Sequence, residues 1–245
     1  MLKTAKERRK SAGINLWESI FFILLILLGA YVLLGSSLFD IRRVSVEGNH
    51  TLAASEIITA SGITVGANIF KVDLKQAAEK LKALPMIRDA QLVRRLPDQV
   101  LIRVAERRPA ALVPWGDGFV QVDADGVCLQ NGKPTGSLPV ITGMSVRVPP
   151  PGQRVQGRGL DTALKVIGQL PAALVGQLSE VHLDSAGLVV LYTTDGVQCR
   201  LGTPDDIADK GAVLQQVLGD VRNQGRRIQY IDLSYVGMPV VKYAD

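Results

Sequence analysis

The sequence contains 245 residues, of which 47% are apolar and 21% are charged, with a formal net charge of +5. This length is sufficient for one or two folded domains, and the apolar content excludes a chain that is mainly disordered. Only one segment is long and apolar enough to cross a bilayer, which excludes a multispan transporter.

Residues 19–39 form a stretch of 21 residues without a charged side chain. As a helix this stretch would be about 31 Å long and apolar on every face, which predicts a transmembrane helix. Five cations lie within residues 1–18, so the positive-inside rule predicts a cytoplasmic tail there and an extracytoplasmic remainder. A cleaved signal peptide is the alternative, but the apolar stretch is longer than the roughly 7–15 residues of such a signal.

Residues 40–109 alternate strand and helix signals. The predicted elements are a strand at 41–48, helices at 53–61 and 73–84, and strands at 87–96 and 99–106. Asp73 is a predicted N-cap and Gly62 a predicted helix end. The resulting order is β-α-α-β-β, with apolar strand residues under the two helices and arginines on the opposite face.

Residues 110–245 are rich in short strands separated by glycine-containing turns. The predicted strands are 119–123, 126–130, 138–143, 178–184, 187–193, 196–202, 226–235 and 238–244. Helices are predicted at 160–170 and from Thr203, where Pro204 would occupy the first helical position. The Pro- and Gly-rich stretch 145–159 predicts an exposed loop. The predicted fold class is α+β: a transmembrane helix, a β-α-α-β-β domain, and a mostly antiparallel β domain with two helices.

The two cysteines, Cys128 and Cys199, each lie in a short apolar stretch predicted to be a strand. Such positions are typical of buried thiols that pack as small apolar side chains. A disulfide is the other interpretation, provided that the Cα atoms lie close enough. Both interpretations stay open at the level of sequence.

Four segments share a pattern with a known family: IRRVSVEGNHTLAASEI followed by NIFKVDL, LPMIRDAQLVRRLPDQVLIRVAERRPAALV, FVQVDADGVCL with LPVITG, and IQYIDLSYVG. Taken together, they resemble the FtsQ/DivIB family of bacterial cell-division proteins. The segments occur in the family's order over nearly the whole chain. The resemblance implies a cytoplasmic tail (1–18), a span (19–39), a POTRA domain (40–109) and an FtsQ-type β domain (110–245).

This sequence departs from the family pattern at several positions. Met86 and Leu96 stand where the family usually has Trp, and both keep apolar volume, so we expect the fold to be preserved. Ser234 replaces the Arg of the I-D-L-R-Y motif, which removes any ion pair made by that Arg. Relatives often carry a Trp near the C-terminus, and aromatic anchoring would here fall to Tyr235 or Tyr243.

The resemblance implies an essential, non-enzymatic division scaffold of the cytoplasmic membrane, located at the septum. Its implied partners are FtsB and FtsL, which are DivIC-like coiled-coil membrane proteins, and its implied role is to link early to late division proteins and to regulate septal peptidoglycan synthesis. Partner binding is assigned to the last strand, whose free edge can pair with an added strand. The implied contact residues are Tyr235, Met238, Val240, Val241, Lys242 and Tyr243.

An arginine-rich face of the POTRA domain is a second expected surface. Its residues are Arg42, Arg43, Arg94, Arg95 and Arg103. This face would dock other divisome membrane proteins or contact anionic headgroups. A solvated sheet face is the alternative for each arginine.

Two rival classes are a membrane-anchored envelope enzyme and a POTRA-containing export or outer-membrane assembly factor. The enzyme would need a nucleophile with a base, a carboxylate pair or a metal cluster. The two histidines, His50 and His182, lie in different predicted domains without such a motif, so no catalytic, cofactor or metal residue is predicted. An assembly factor of that class carries a long barrel, for which residues 110–245 are too few.

The positive charge lies in the first 18 residues (+3) and in residues 40–109 (+4), whereas residues 110–245 carry −2. The basic balance therefore reflects membrane topology and a surface next to the membrane. It does not indicate nucleic acid binding.

Overall fold

A computed structural model describes residues 16–132, 137–223 and 226–244. Helix α1 (Leu16–Leu34) has no buried residue, and it is the one helix in these ranges that is long and apolar enough to cross a membrane. The helix ends five residues before the predicted position, and the Ser36 hydroxyl donates to the Leu33 carbonyl oxygen at 2.7 Å just after it. A short 3-10 helix (Ser37–Phe39) follows. Most of the predicted cytoplasmic tail lies outside the described residues.

A three-stranded unit follows α1. Its elements are β1 (Arg43–Glu47), α2 (Ala54–Ser61), α3 (Leu74–Lys82), β2 (Ile87–Arg95) and β3 (Gln99–Glu106). β3 is central, with β1 parallel and β2 antiparallel to it. The Asp73 carboxylate accepts the backbone N–H groups of Lys75 and Gln76 at 2.9 and 3.0 Å, and Gly62 ends α2 in the left-handed conformation. The predicted β-α-α-β-β order is confirmed.

The helices of this unit cover one face of its sheet. Val100, Ile102 and Val104 of β3 are buried against them, as the alternation predicts. Leu101 points to the opposite face and is also buried, although the sequence predicts an open, arginine-bearing face there. Leu101 lies in the central strand, where it pairs with Ser45 on one side and Val93 on the other.

The described residues after β3 form a nine-stranded sheet with three helices. Its strands are β4 (Pro109–Trp115), β5 (Gly118–Asp123), β6 (Cys128–Gly132), β7 (Val140–Thr142), β10 (Leu178–Leu183), β11 (Val189–Thr193), β12 (Gln198–Gly202), β13 (Ile228–Asp232) and β14 (Val240–Tyr243). Outside this sheet lie the hairpin of β8 (Val146–Arg147) and β9 (Gln156–Gly157) and the helices α4 (Leu160–Gln169), α5 (Ala172–Val175) and α6 (Ile207–Asn223). The spatial order is β14-β13-β12-β11-β10-β7-β4-β5-β6, and most neighbouring pairs are antiparallel, as predicted.

Helices α4 and α6 contribute their apolar faces to the core of this sheet. The predicted stripe of α6 (Ile207, Leu214, Leu218 and Val221) is buried. The helix begins at Ile207 and not at Pro204, because Asp206 has a φ of 55° and its carbonyl oxygen accepts the first intrahelical bond from Lys210 at 2.9 Å. The prediction of the helix start was therefore wrong by one turn.

Three further elements differ from the sequence prediction. β4 contains two prolines and was not predicted; Pro109 is its first residue, and Pro114 lies beyond the single pairing of β4 with β7. The predicted loop 145–159 contains the β8–β9 hairpin and places Val155 in the core. The short α5 was also not predicted.

An ion pair joins the three-stranded unit to the nine-stranded sheet. Arg107 follows β3, and its Nη1 lies 2.6 Å from Oδ2 of Asp123, with the two side chains only 17% and 5% exposed. The other oxygen of Asp123 accepts the N–H groups of Asp125 and Val127 at 3.0 and 2.8 Å. Arg107 also donates its own N–H to the Met86 carbonyl oxygen at 2.8 Å. This pair therefore holds the β5–β6 turn against the end of the three-stranded unit.

Replacing Arg107 with Ala should lower the free energy of unfolding by about 3 kcal/mol, because it leaves the Asp123 carboxylate buried without its cation. Urea unfolding of the extracytoplasmic fragment measures this loss. The matched control is Arg88→Ala, which removes a 3.2 Å contact with Asp125 between side chains that are 62% and 48% exposed. That change should cost less than about 1 kcal/mol. Equal losses in the two variants would contradict the role assigned to Arg107.

Candidate functional site

The last strand forms one edge of the nine-stranded sheet. β14 pairs antiparallel with β13, so that Val240 lies opposite Asp232, and Lys242 lies opposite Tyr230. Within the described ranges, β14 has no neighbour on its other side. Its outward N–H and C=O groups are therefore available to another strand.

The opposite edge of the sheet is partly covered. The Cys128 N–H at the start of β6 donates to the Gln153 carbonyl oxygen at 2.9 Å, and the Gly152 N–H donates to the Cys128 carbonyl oxygen at 2.7 Å. A further bridge joins Val127 and Arg154. The 145–159 segment thus satisfies backbone groups that β6 would otherwise expose, and β14 is the more open edge.

Exposed apolar side chains cluster next to the open edge. Tyr235 and Met238 are 80% and 79% exposed and lie in the turn before β14, and the Val240 side chain is also exposed. Val241 points the other way and packs against the core. Tyr243 is half-buried, with the Arg226 guanidinium carbon 3.4 Å from its ring centroid. The sequence-predicted residues are thus adjacent, but Val241 faces inward.

Sequence reasoning missed two side chains beside this edge. Tyr230 lies on β13 with Arg200 4.4 Å and the Lys242 ammonium 5.9 Å from its ring centroid. These distances are within the range of cation–π contacts. Pairing the sequence of β13 with that of β14 in antiparallel register would have placed Tyr230 opposite Lys242. Arg200 lies on β12, which pairs parallel with β13. A parallel pair is not joined by a hairpin, so its register could not be predicted from the sequence.

Ser234 forms a local turn with Asp232. Its N–H and its hydroxyl group both donate to Oδ1 of Asp232, at 2.9 and 2.7 Å. Gly202 approaches this turn so closely that a Cβ added there would lie 3.2 Å from atoms of Ser234. Where the family motif has an arginine, this chain therefore has a short hydroxyl that permits close packing between the ends of β12 and β13.

A buried lysine supports the same end of the sheet. Lys210 of α6 is buried, and its ammonium group donates to the carbonyl oxygens of Leu201 and Thr203 at 2.8 and 2.9 Å. These bonds tie α6 to the end of β12, next to β13. Residue patterning does not predict this contact, because a helical lysine is normally solvent-exposed.

The predicted arginine face is divided between two sides of the sheet. Arg43, Arg95 and Arg103 share the face opposite the helices. On that face Nε of Arg103 lies 3.2 Å from Oε2 of Glu47. Arg42 precedes β1, with its Nε 3.9 Å from the Asp98 carboxylate.

Arg94 lies on the helix side of the sheet. Its Nε donates to the Ile69 carbonyl oxygen at 2.8 Å, and its Nη2 donates to the Val72 carbonyl oxygen at 2.7 Å. The prediction that Arg94 and Arg95 share a face was wrong, because successive strand residues point to opposite faces. Arg94 holds the loop before α3 in place.

One cluster on the nine-stranded sheet combines a hydroxyl, a carboxylate and an imidazole. The Thr142 hydroxyl donates to Glu180, and the Thr142 oxygen lies 2.7 Å from Nδ1 of His182. The hydroxyl proton is directed to Glu180, whereas a nucleophile that is paired with a histidine base donates its proton to the imidazole ring. Among the described residues, no group of three or more potential ligands could hold a metal ion.

The two cysteines are buried thiols on distant strands. Cys128 lies on β6 and Cys199 on β12, which are six strands apart in the sheet. At about 4.8 Å per strand the separation is roughly 29 Å, far beyond the reach of a disulfide. Burial raises the pKa of the Cys128 thiol and raises the pKa of the Cys199 thiol to about 12. Of the two interpretations left open by the sequence, the structure supports buried thiols.

Neither thiol should react with a water-soluble disulfide reagent in the folded protein at neutral pH. Burial excludes the reagent, and the raised pKa keeps the reactive thiolate scarce. After unfolding in denaturant without reductant, the same reagent should titrate two thiols per chain. A titration of zero thiols in denaturant would show that they pair after all.

Comparison with known proteins identifies two adjoining regions of similarity. Residues 39–107 match the FtsQ-type POTRA domain, and residues 111–234 match the C-terminal region of cell division protein FtsQ/DivIB. The chain is 31% identical over 217 residues to cell division protein FtsQ of Syntrophotalea carbinolica, covering 86% of this chain and 76% of that protein. It is 30% identical over 203 residues to FtsQ of Anaeromyxobacter sp. strain K, covering 81% and 68%. The solved extracytoplasmic domain of DivIB from Geobacillus stearothermophilus aligns with 49% of this chain and 97% of that domain, with 23% identity and a TM-score of 0.36.

Proposed function

Because this chain belongs to the FtsQ/DivIB family of bacterial cell-division proteins, we propose that its role in the divisome is that of a scaffold whose β14 edge binds a partner protein. The observation that carries the proposal is the open edge of β14 beside the exposed side chains of Tyr235, Met238 and Val240. The proposed partners are the coiled-coil membrane proteins FtsB and FtsL. Through them the scaffold links early to late division proteins and regulates septal peptidoglycan synthesis.

The proposed mode of binding is addition of one partner strand to β14. Main-chain hydrogen bonds supply affinity in this mode, and alternate side chains supply specificity. Val240 and Lys242 share the face of β14 that points away from the core, next to Tyr230. A partner strand with apolar and acidic residues at alternate positions would complement this face. Pro239 lacks an N–H group, so the added strand would pair from Val240 onward.

The proposed topology follows from the position of the span. Residues 1–18 lie in the cytoplasm, the predicted span (19–39) crosses the inner membrane with its helical part ending at Leu34, and the POTRA domain (40–109) and the β domain (110–245) lie outside it at the septum. The positive charge of the tail supports this orientation. We also propose Arg42, Arg43, Arg95 and Arg103 as a docking face for other divisome membrane proteins. Arg94 is left out because its guanidinium group is engaged with backbone carbonyl groups.

Introducing a charge at the exposed edge should abolish partner binding while the domain stays folded. In Val240→Glu, the new carboxylate would have to be desolvated under the added strand, and capture of the FtsB extracytoplasmic segment should fall at least about tenfold. Affinity capture on the purified extracytoplasmic fragment measures this change.

The matched control is Val93→Glu, the same substitution at an exposed valine of β2. It should leave capture unchanged. Deletion of residues 238–245 should abolish capture as Val240→Glu does. Full binding by either edge variant, with melting curves like those of the native protein, would contradict the proposed site.

Depletion of the protein in its native bacterium tests the divisome role itself. Cells should stop septating and grow as filaments, since assembly of the late division proteins would stall. Microscopy of depleted cells measures cell length and septum number. Normal division after depletion would contradict the scaffold function, independently of where the partner binds.

A further inference from the structure

The three-stranded unit is fixed to the end of the membrane-spanning helix. The Asn68 side chain donates its Nδ2–H to the carbonyl oxygen of Leu34, the last residue of α1, at 2.8 Å. Such a carbonyl has no partner within its own helix. Oδ1 of Asn68 accepts the Phe70 N–H at 3.0 Å, so one side chain caps the helix and shapes the loop. The loop around Asn68 therefore lies beside the last turn of α1.

The segment after α1 pairs with the same loop. The Ile69 N–H donates to the Phe39 carbonyl oxygen at 2.8 Å, and Ile41 exchanges backbone bonds with Ala67 and Gly66 at 2.9 and 2.8 Å. The turn between β2 and β3 is held there as well, because the Arg42 N–H donates to the Asp98 carbonyl oxygen at 2.8 Å. Loop 64–71 and turn 96–98 thus form one end of the unit, next to α1. We call these two segments the stem end.

The stem end carries exposed apolar side chains. Among the described residues of 40–109, four large apolar side chains are exposed, and three of them lie here: Val65 at 67%, Phe70 at 41% and Leu96 at 60%. The ring of Phe70 packs on that of Phe39, 5.1 Å between centroids. Apolar and aromatic side chains next to the end of a membrane-spanning helix match the interfacial region of a bilayer.

Basic side chains lie beside these apolar groups. Lys71 follows Phe70, and the exposed side chains of Arg42 and Arg43 lie at the start of β1, next to the stem end. A groove of about 280 Å³ runs between Tyr31 and Val32 of α1 and Phe70 and Lys71 of the loop. An apolar groove with a lysine at its rim matches a phospholipid, whose acyl chain and phosphate it would contact together.

We propose that the stem end lies in the headgroup layer of the bilayer that α1 crosses, with Val65, Phe70 and Leu96 in contact with lipid and a phospholipid in the groove between Tyr31 and Phe70. Helix α1 is about 28 Å long, so its last turn reaches the edge of the hydrocarbon core. The hydrogen bonds to Leu34, Phe39 and Ile41 then place the stem end at the same level. The lipid contact requires that α1 spans the membrane, and it is independent of partner binding at β14.

An environment-sensitive fluorophore at Phe70→Cys tests the proposal in the full-length protein, reconstituted into vesicles of phosphatidylcholine and phosphatidylglycerol without partner proteins. The two native thiols are buried, so a maleimide reagent labels the introduced cysteine. Emission should shift to shorter wavelength and lose intensity when lipids carrying a nitroxide near the headgroup are included. Lys71→Cys provides a second probe position on the same rim and should respond in the same way.

The control position is His50→Cys, which is exposed beyond the far end of β1. The four steps along β1 from Arg43 to Glu47 alone span about 13 Å, so this label should stay in water and show neither change. Quenching at positions 70 and 71 no greater than at 50 would overturn the proposal. A blue shift that appears only when a partner protein is added would also overturn it, because the groove would then be a protein contact.

Discussion

Backbone N–H and C=O groups require hydrogen-bond partners, and this requirement determines which edge of the large sheet can bind another protein. A sheet of nine strands has two edges, and the chain treats them differently. Residues 152–154 cover the start of β6 by backbone bonds to Cys128 and Val127. β14 has a neighbour on one side only within the described chain, and its approach is lined by exposed apolar side chains. This asymmetry favours β14 as the edge that a partner completes.

The position of that edge relative to the membrane is held by a small number of polar contacts. Asn68 ties the three-stranded unit to the last turn of α1, and Arg107 with Asp123 ties the nine-stranded sheet to the three-stranded unit. Lys210 then holds α6 to the end of β12, two strands from β14. Each contact pairs a side-chain donor with a carbonyl or carboxylate oxygen of another element. Contacts that fix the relative positions of these units suit a scaffold, because its partners must meet at a defined distance from the bilayer.

Local signals in the sequence predicted the elements that depend on neighbouring residues. The N-cap at Asp73 and the helix end at Gly62 are examples, since both are set within one turn of the chain. Features set by distant residues could not be predicted in this way. The proline-containing β4 exists because β5 and β7 flank it, and Lys210 is buried because β12 offers two carbonyl groups. In the candidate site, the family resemblance predicted the last strand as the binding element. The position of Tyr230 opposite Lys242 could not be predicted in this way, because it depends on the register between β13 and β14.

Hydrogen exchange of the β14 amides, with and without the extracytoplasmic segment of FtsB, tests the central claim most directly. In the free protein, the N–H groups of residues 240–243 that face away from β13 should exchange quickly, because they have no strand partner. Binding by strand addition should slow their exchange by at least about tenfold, while β6 stays unchanged. Unchanged exchange at 240–243, with new protection on β1 or β2 of the POTRA domain, would contradict the account.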